Sequence, residues 1–158
     1  MSTLKVDTIQ HSGGTTGLTI DSSGRVLTPA RPAFQVHSPT ATGNNSVVYW
    51  QTDVVASTHF NKSNGKFTAP ISGVYHFFWQ LLSNENNAWV VSEIRKNGTA
   101  IVHNQQYNHS GEVAGLATHG SVLLSLSASD YVEIYSDAST YANINTGTNS
   151  FFGGYLVG

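Results

Sequence analysis

The sequence predicts an all-β protein, and three observations support that class. Apolar residues alternate at period two along most of the chain and almost never follow the three-and-four spacing of an amphipathic helix. Clusters of Gly, Asn and Ser interrupt this alternation at intervals close to the roughly 8–12 residues that separate strands in sandwiches and barrels. Only 10% of the 158 residues are charged, so neutral Ser, Thr, Asn and Gly must make the surface polar.

The same composition excludes several function classes. Seven Lys and Arg against nine Asp and Glu give a net charge of -2, without the basic surface that nucleic-acid binding requires. No run of about 18 apolar residues is present to cross a bilayer. The amino terminus lacks the basic start and apolar stretch of a secretory signal, and there is no cysteine. The absence of cysteine fits synthesis in a reducing cytoplasm or indifference to redox state, and we expect no insertion into a membrane.

Two prolines in Pro29-Ala30-Arg31-Pro32 predict an extended connector that divides the chain into residues 1–29 and 30–158. The first segment has three short β-prone runs, and its few apolar residues cannot form a core, because isolated hairpins are marginal in water. We expect an extended β arm that either wraps a trimer or anchors the protein to a larger particle. The anchoring candidates are Leu4, Val6, Ile9, Leu18 and Ile20.

The strongest strand signal of the second segment is the run from Val74 to Leu82. Its side chains alternate between two largely apolar faces, one with Tyr75, Phe77, Trp79 and Leu81 and the other with Val74, His76, Phe78, Gln80 and Leu82. A sandwich strand buries only one face within its own chain. We predict that another copy of the chain covers the second face at His76, Phe78 and Gln80. The alternative is a barrel-like core that encloses both faces.

Turn residues and further strands follow in order along this segment. Asn64-Gly65 and Asn97-Gly98 predict tight turns between strands. The run from Glu112 to Leu126 is the best candidate for a helix, but it contains two glycines and ends in alternating apolar residues, so it is predicted as loop and strand. The predicted core positions are Phe34, Phe67, Tyr75, Phe77, Val132, Phe152 and Leu156.

Seven short motifs follow one another along the second segment in a characteristic order. They are Arg31-Pro32-Ala33-Phe34, Gly65-Lys66-Phe67-Thr68-Ala69-Pro70, Gly73-Val74-Tyr75-His76-Phe77, Arg95-Lys96-Asn97-Gly98, the run from Gly120 to Leu126, Asp130-Tyr131-Val132, and Phe152-Gly153-Gly154-Tyr155-Leu156. Over residues 31–157 this order resembles the globular head of complement C1q, a tumour-necrosis-factor-like jelly roll. The resemblance implies a homotrimeric jelly-roll β-sandwich. It also implies calcium near the trimer apex in some members, for which no ligand residues can be matched here, and no other cofactor.

Two departures limit what this resemblance implies. The Gly-Asp that usually precedes the penultimate strand is Ser129-Asp130 here, and no collagen-like Gly-X-Y repeat precedes the domain. Complement-type roles are therefore not implied. In place of the stalk stand Ser2 to Gln10 and Gly17 to Gly24, which resemble the amino-terminal part of tailed-phage structural proteins, fibres especially.

Catalytic and metal motifs are weak. The seven histidines share no close metal-ligand spacing, although a threefold axis would turn one inward histidine into three ligands. Asp130 and Glu133 are neighbouring acids, but their spacing on a strand directs them to opposite faces, and we predict solvated turn and edge charges. No nucleophile elbow or phosphate loop is present, so we expect no enzyme and no metal site.

Loops rich in Asn, Ser, Thr and Tyr are the predicted binding surface, because loops on a rigid sandwich commonly carry recognition. Amide groups can pair with sugar hydroxyls and tyrosine rings can stack on sugars. The candidate ligand-binding residues are Asn84, Asn86, Asn87, Tyr107, Asn108, Tyr141 and Asn143. The alternative is that these loops are only soluble connections.

These observations lead to three hypotheses of function. The first is a homotrimeric surface protein of a tailed-phage virion, assembled in the bacterial cytoplasm with other phage structural proteins, whose head binds a host-surface glycan or receptor. The second is a capsid decoration protein whose arm lies across neighbouring shell subunits. The third is a bacterial secreted or adhesive module, which the absence of a signal disfavours.

Overall fold

The computed structural model describes residues 5–40, 45–83, 88–108, 115–136 and 147–157, and these ranges contain fourteen β-strands. The chain divides into two compact units, one ending at Arg31 and one beginning at Pro32. No helix in the described ranges is long and apolar enough to cross a membrane.

The first unit is a three-stranded antiparallel sheet. Its strands are β1 (Thr8–Gln10), β2 (Thr16–Ile20) and β3 (Val26–Leu27), in the order β1-β2-β3. The Asp21 carboxylate accepts backbone hydrogen bonds from Ser23 and Arg25 and thereby fixes the turn between β2 and β3. The first strand in the described residues begins at Thr8.

The second unit is a sandwich of two antiparallel sheets. Its strands are β4 (Ala33–Pro39), β5 (Ser46–Val47), β6 (Trp50–Val55), β7 (Phe60–Asn61), β8 (Lys66–Thr68), β9 (Gly73–Ser83), β10 (Ala88–Lys96), β11 (Thr99–Asn108), β12 (Leu116–Leu126), β13 (Tyr131–Ser136) and β14 (Phe151–Leu156). One sheet has the order β12-β9-β14-β4-β6. The other has the order β11-β10-β13-β8-β7, and β5 pairs with β13. The run from Glu112 to Leu126 was predicted as loop and strand, and the strand at its end is confirmed, because β12 occupies Leu116–Leu126.

The core lies between the two sheets and is largely aromatic. Tyr75, Phe77, Trp79 and Leu81 all point into it from β9 and are fully buried. Phe34 stacks between Phe60 and Phe67, with ring centroids 4.6 and 4.9 Å away. The predicted core positions are confirmed, except that Leu156 is only partly buried at the margin.

The buried indole of Trp79 has a specific hydrogen-bond partner in the core. The indole Nε1 of Trp79 donates a hydrogen bond of 2.9 Å to Ser92 Oγ on the facing sheet, and both residues are buried. A buried indole N–H without a partner would cost about 1–3 kcal/mol. This bond therefore ties β9 to β10 across the sandwich.

The turns follow the predicted residues. Asn97 and Gly98 join β10 and β11 with φ values of 50° and 80°, the left-handed pair that a two-residue hairpin turn requires. Gly65 has φ 71°, and a Cβ there would collide with the carbonyl oxygen of Val48. Ser129, which replaces the usual glycine, also has a positive φ of 74°.

One sequence prediction about charge is wrong. Glu133 is 4% exposed and lies in the middle of β13. Its carboxylate approaches Lys66 Nζ at 3.7 Å from the neighbouring strand β8. Glu133 was predicted to be a solvated edge charge, but β13 is central in its sheet, so the neighbouring strands cover the side chain.

Candidate functional site

The outward side of β9 carries the residues predicted for self-association. His76, Phe78 and Gln80 all point away from the core and are only partly buried. The alternative of a core that encloses both faces is therefore wrong, because the chain itself leaves this side of the sheet outside. Gln80 Nε2 is held by a hydrogen bond of 2.8 Å to the carbonyl oxygen of Asn149.

Neighbouring strands extend this surface. Their register places Leu123 on β12 and Tyr155 on β14 directly opposite His76, while Gly153 lies opposite Phe78. We call the surface formed by Val74, His76, Phe78, Leu123, Phe151 and Tyr155 the outer face. Leu123 is 60% exposed and Tyr155 is 41% exposed. A contiguous apolar patch of this kind on neighbouring strands is typical of a protein interface.

The rings of the outer face already pack against each other. The rings of Phe78 and Phe151 are 6.2 Å apart, and the His76 ring meets the Tyr155 ring edge to face at 5.2 Å. His76 Nε2 lies 2.6 Å from Ser121 Oγ, whereas His76 Nδ1 is buried without a hydrogen-bond partner in the described part of the chain. The face is thus preorganised and has one unsatisfied polar atom.

A second exposed surface lies at the end of the hairpin formed by β10 and β11. Trp89 and Tyr107 are directly opposite each other, with ring centroids 5.0 Å apart and planes inclined by 57°. They are 37% and 36% exposed. The pair Val91 and Gln105 follows on the same face of the sheet. We call Trp89 and Tyr107 the aromatic pair.

A charged network supports the sheet next to the aromatic pair. Glu93 is 6% exposed and accepts hydrogen bonds from Arg95 Nε at 2.7 Å and from the His103 ring at 3.1 Å. The guanidinium of Arg95 also stacks over the Tyr135 ring at 3.2 Å. Burial opposes ionisation of Glu93, but the hydrogen bonds from His103 and Arg95 outweigh it and hold its pKa below the ordinary value.

Asp130 has a structural role at a turn. Hydrogen bonds from the Asn97 amide, Lys96 and the Ser127 backbone lower its pKa to about 2. These contacts join the turn before β13 to the hairpin turn after β10. The Asp130 carboxylate therefore stabilises these turns and is not available to bind a ligand.

The structure brings together only part of the predicted ligand-binding set. Tyr107 lies in the aromatic pair, and Asn108 is the last residue of β11. Trp89 was missed, because it belongs to strand β10 and only loop residues were predicted to bind a ligand. The feature of the sequence that could have identified Trp89 is its position two residues after the amide-rich run that ends at Asn87. The remaining ligand candidates lie outside the described residues: Asn84, Asn86, Asn87, Tyr141 and Asn143.

The anchoring candidates belong to the first unit. Ile9, Leu18 and Ile20 lie on its sheet, Val6 precedes β1, and Leu4 lies outside the described residues.

A shallow depression on the second unit has, among the described residues, no unpaired charged group that could serve a catalytic or binding role. It has a volume of about 350 Å³ and is lined by Asp53, Ala56, Ser57, Thr58, Phe60 and Lys62. Its two charged groups already pair with each other. In the part of the chain that the structure describes, no group of three His, Asp or Glu side chains could hold a metal ion.

Comparison with solved structures shows the fold. The globular domain of zebrafish complement 1qA protein is 20% identical and has a TM-score of 0.67, covering 80% of this chain and 98% of that one. Murine APRIL is 13% identical with a TM-score of 0.67, covering 80% and 99%. Eiger TNF from S. frugiperda is 14% identical with a TM-score of 0.65, covering 81% and 93%. These likenesses confirm the predicted jelly roll.

At the level of sequence, no match is found among curated proteins. Residues 33–157, however, match the C1q domain family, and this range begins and ends at the limits of the sandwich. The protein therefore belongs to the C1q domain family.

Proposed function

We propose that this protein is a non-enzymatic, homotrimeric binding module of a tailed-phage virion, of fibre or knob type, whose head binds a host-surface glycan or receptor. The observation that carries the proposal is the outer face. A solitary copy would leave its aromatic and aliphatic side chains in water, and a partner copy would bury them.

The charge pattern of the outer face supports association between identical copies. The three strands that form it, β9, β12 and β14, contain no Asp, Glu, Lys or Arg. Identical copies can therefore meet there without like-charge repulsion, which would otherwise cost several kcal/mol. Three copies are supported by membership in the C1q domain family, in which trimers are typical.

The aromatic pair supports recognition of a glycan. Sugars present apolar C–H faces that stack on Trp and Tyr rings, and hydroxyl groups that pair with amides. The exposed rings of Trp89 and Tyr107 offer the stacking surface, and the side-chain amide of Gln105 beside them offers a partner for the sugar hydroxyls. Because a trimer presents three such sites, weak individual contacts add up to a stronger overall attachment.

The phage assignment comes from the arm, whose sequence resembles the amino-terminal part of phage structural proteins. Virion-surface location and assembly in the bacterial cytoplasm are parts of this proposal. Antibody labelling of purified virions by electron microscopy tests the location directly. Label at the tail would support a fibre or knob, and the absence of label on any virion would refute the assignment.

An array of bacterial surface polysaccharides tests the ligand class. We expect the full-length protein to bind a subset of glycans and the variants Trp89→Ala and Tyr107→Ala to bind the same glycans about two- to tenfold more weakly, since an aromatic contact contributes about 0.5–1.5 kcal/mol. Tyr49→Ala is the matched control, because Tyr49 is a tyrosine of comparable exposure, 43%, that does not belong to the pair. Unchanged binding by both variants would remove the aromatic pair as the site.

Capsid decoration is the second candidate function. It is favoured by the arm, whose small sheet leaves apolar side chains such as Val26 62% exposed, as expected of a segment that lies on other proteins. In this case antibodies would label the capsid, and virions lacking the protein would lose their genome at lower temperature than complete virions.

A further inference from the structure

A histidine lies at the centre of the outer face. His76 is on β9 between Leu123 of β12 and Tyr155 of β14, and its ring is partly buried. Its Nε2 is 2.6 Å from Ser121 Oγ, while its buried Nδ1 has no hydrogen-bond partner in the part of the chain that the structure describes. A neutral imidazole can carry its single proton on Nε2 and donate it to Ser121, so that no N–H group is left unpaired.

Two further histidines border the outer face. His119 on β12 lies directly opposite Gln80, and His37 on β4 lies between Phe151 of β14 and Thr52 of β6. Gln80 and Phe151 are themselves directly opposed. Because directly opposed residues share a face of the sheet, both histidines project outwards, away from the core.

No unpaired acidic side chain lies beside these histidines in the described part of the sheet. The strands β4, β9, β12 and β14 contain no Asp or Glu. On the edge strand β6, Asp53 is paired with Lys62 at 2.5 Å. Lys96 reaches the carbonyl oxygen of Ser125 at the end of β12, and its ammonium group is paired with Asp130 at 2.9 Å.

The groups packed against His76 and His119 are neutral as well. Tyr155 is the titratable neighbour of His76, with ring centroids 5.2 Å apart, and a phenol carries no charge at acidic pH. Strand β11 lies beside β12, and its Asn104 amide donates a hydrogen bond of 2.9 Å to the carbonyl oxygen of His119. A proton taken up by any of the three histidines therefore adds a positive charge that no described neighbour neutralises.

We propose that protonation of His76 opens the trimer as the pH falls. This inference rests on the proposed function, because it needs a partner copy on the outer face. In a solitary copy, a protonated His76 can turn its ring outwards and give both N–H groups to water. A covering copy prevents this movement, so the charge would be buried without a partner and one N–H without an acceptor. The single chain therefore binds the proton more tightly than the trimer does, and acid favours single chains.

Repetition in three copies amplifies the effect. At pH 5 a histidine with the ordinary pKa of about 6.5 is protonated about 30 times more often than it is neutral. Each site that assembly keeps neutral weakens the trimer by about that factor. For three such sites, the protein concentration at which half the chains are trimeric should rise on the order of a hundredfold, since this midpoint varies as the square root of the trimer constant.

The fold keeps its charged contacts in this pH range. Hydrogen bonds from Asn97, Lys96 and the Ser127 backbone lower the pKa of Asp130 to about 2. Burial opposes ionisation of Glu93, but its hydrogen-bond partners hold its pKa below the ordinary value. Both carboxylates therefore stay ionised at pH 5, and opening of the trimer is separable from acid unfolding.

Sedimentation equilibrium of the full-length protein at pH 7.5 and pH 5.0, at one ionic strength, tests this proposal. The wild type should be a trimer at pH 7.5, dissociate at pH 5.0 with an unchanged far-UV CD spectrum, and reassemble at pH 7.5. His76→Gln and His76→Leu supply a polar and an apolar side chain that take up no proton. His59→Gln is the matched control, because His59 lies in the turn before β7 of the other sheet.

The quantity compared is the ratio of the midpoint concentrations at the two pH values, so that any effect of a substitution on the neutral trimer cancels. This ratio should be at least tenfold smaller in the two His76 variants than in the wild type and in His59→Gln. A wild-type ratio of one overturns the switch and leaves the proposed function standing. Equal ratios in all four proteins overturn the role of His76. A wild-type protein that is a single chain at pH 7.5 overturns both this proposal and the proposed trimer.

Discussion

Gly153 and Gly154 are neighbours on β14 that point to opposite sides of the sheet, so one methyl group at each position probes a different layer. A Cβ on Gly154 would lie 2.8 Å from Phe77 Cε1 and 2.9 Å from the His76 carbonyl oxygen. A Cβ on Gly153 would lie 2.5 Å from Phe78 Cζ on the outer face and 3.1 Å from the Phe34 carbonyl oxygen, a backbone contact that requires a shift of only a few tenths of an ångström. We predict that Gly154→Ala weakens the fold and that Gly153→Ala weakens assembly.

The size of each effect depends on whether the atoms next to the new methyl group can move away from it. Phe77 is fully buried and the His76 carbonyl is part of the backbone, so Gly154→Ala should cost at the upper end of the roughly 1–3 kcal/mol typical of overpacking. Phe78 is only partly buried and can swing outwards. Its lost contact with Phe151 costs about 0.5–1.5 kcal/mol, and the gain of about 0.5–1 kcal/mol from replacing glycine in a strand offsets most of it.

Urea unfolding at several protein concentrations is the assay. The stability of an oligomer depends on concentration, so assembly is visible as a midpoint that rises with protein concentration. Gly154→Ala should lower the midpoint by about 1 M at every concentration and keep this dependence. Gly153→Ala should lose the dependence, because the displaced ring disturbs the outer face. A Gly153→Ala protein that assembles like the wild type would refute the reasoning.

Three further predictions concern the fold. Ser92→Ala leaves the buried indole N–H of Trp79 without its partner, so thermal unfolding should show a loss of about 1–3 kcal/mol, and an unchanged Tm would contradict the importance of this bond. Ser129→Gly relieves a positive φ and should raise stability by up to about 1 kcal/mol in the same assay. Because the pKa of Asp130 in the folded protein is about 2, below the ordinary 3.8, its ionised form stabilises the fold above about pH 4, and this contribution is lost as the pH falls towards 2. The stability difference between wild type and Asp130→Asn should therefore be constant near neutral pH and shrink through that window, and an NMR titration of Asp130 with an ordinary midpoint would contradict it.

Much of the fold could be predicted because local and global signals agree. The alternation along β9 was enough to distinguish the core side of this strand from its outward side, since side chains on a strand alternate between faces. Asn97-Gly98 predicted its turn because only a few residue types accept two successive positive φ values.

The candidate sites were less predictable because they depend on which strands lie side by side. Nothing local brings Leu123 next to His76, since these neighbours come from pairing between strands that are far apart in the sequence. Trp89 and Tyr107 belong to the hairpin that Asn97-Gly98 predicts, but an irregularity between Ile94 and Arg95 shifts the register by one residue, so the turn alone does not fix which residue lies opposite Trp89. Glu133 was predicted to be solvated for the same reason: its burial depends on the two strands that flank β13.

Sedimentation equilibrium of the full-length protein tests the central claim most directly. The outer face predicts a species of three times the chain mass of 16.9 kDa at micromolar concentration. A charge placed on that face by Leu123→Asp should shift the equilibrium to the single chain, because it would be buried without a partner. A wild-type protein that sediments as a single chain would contradict the account.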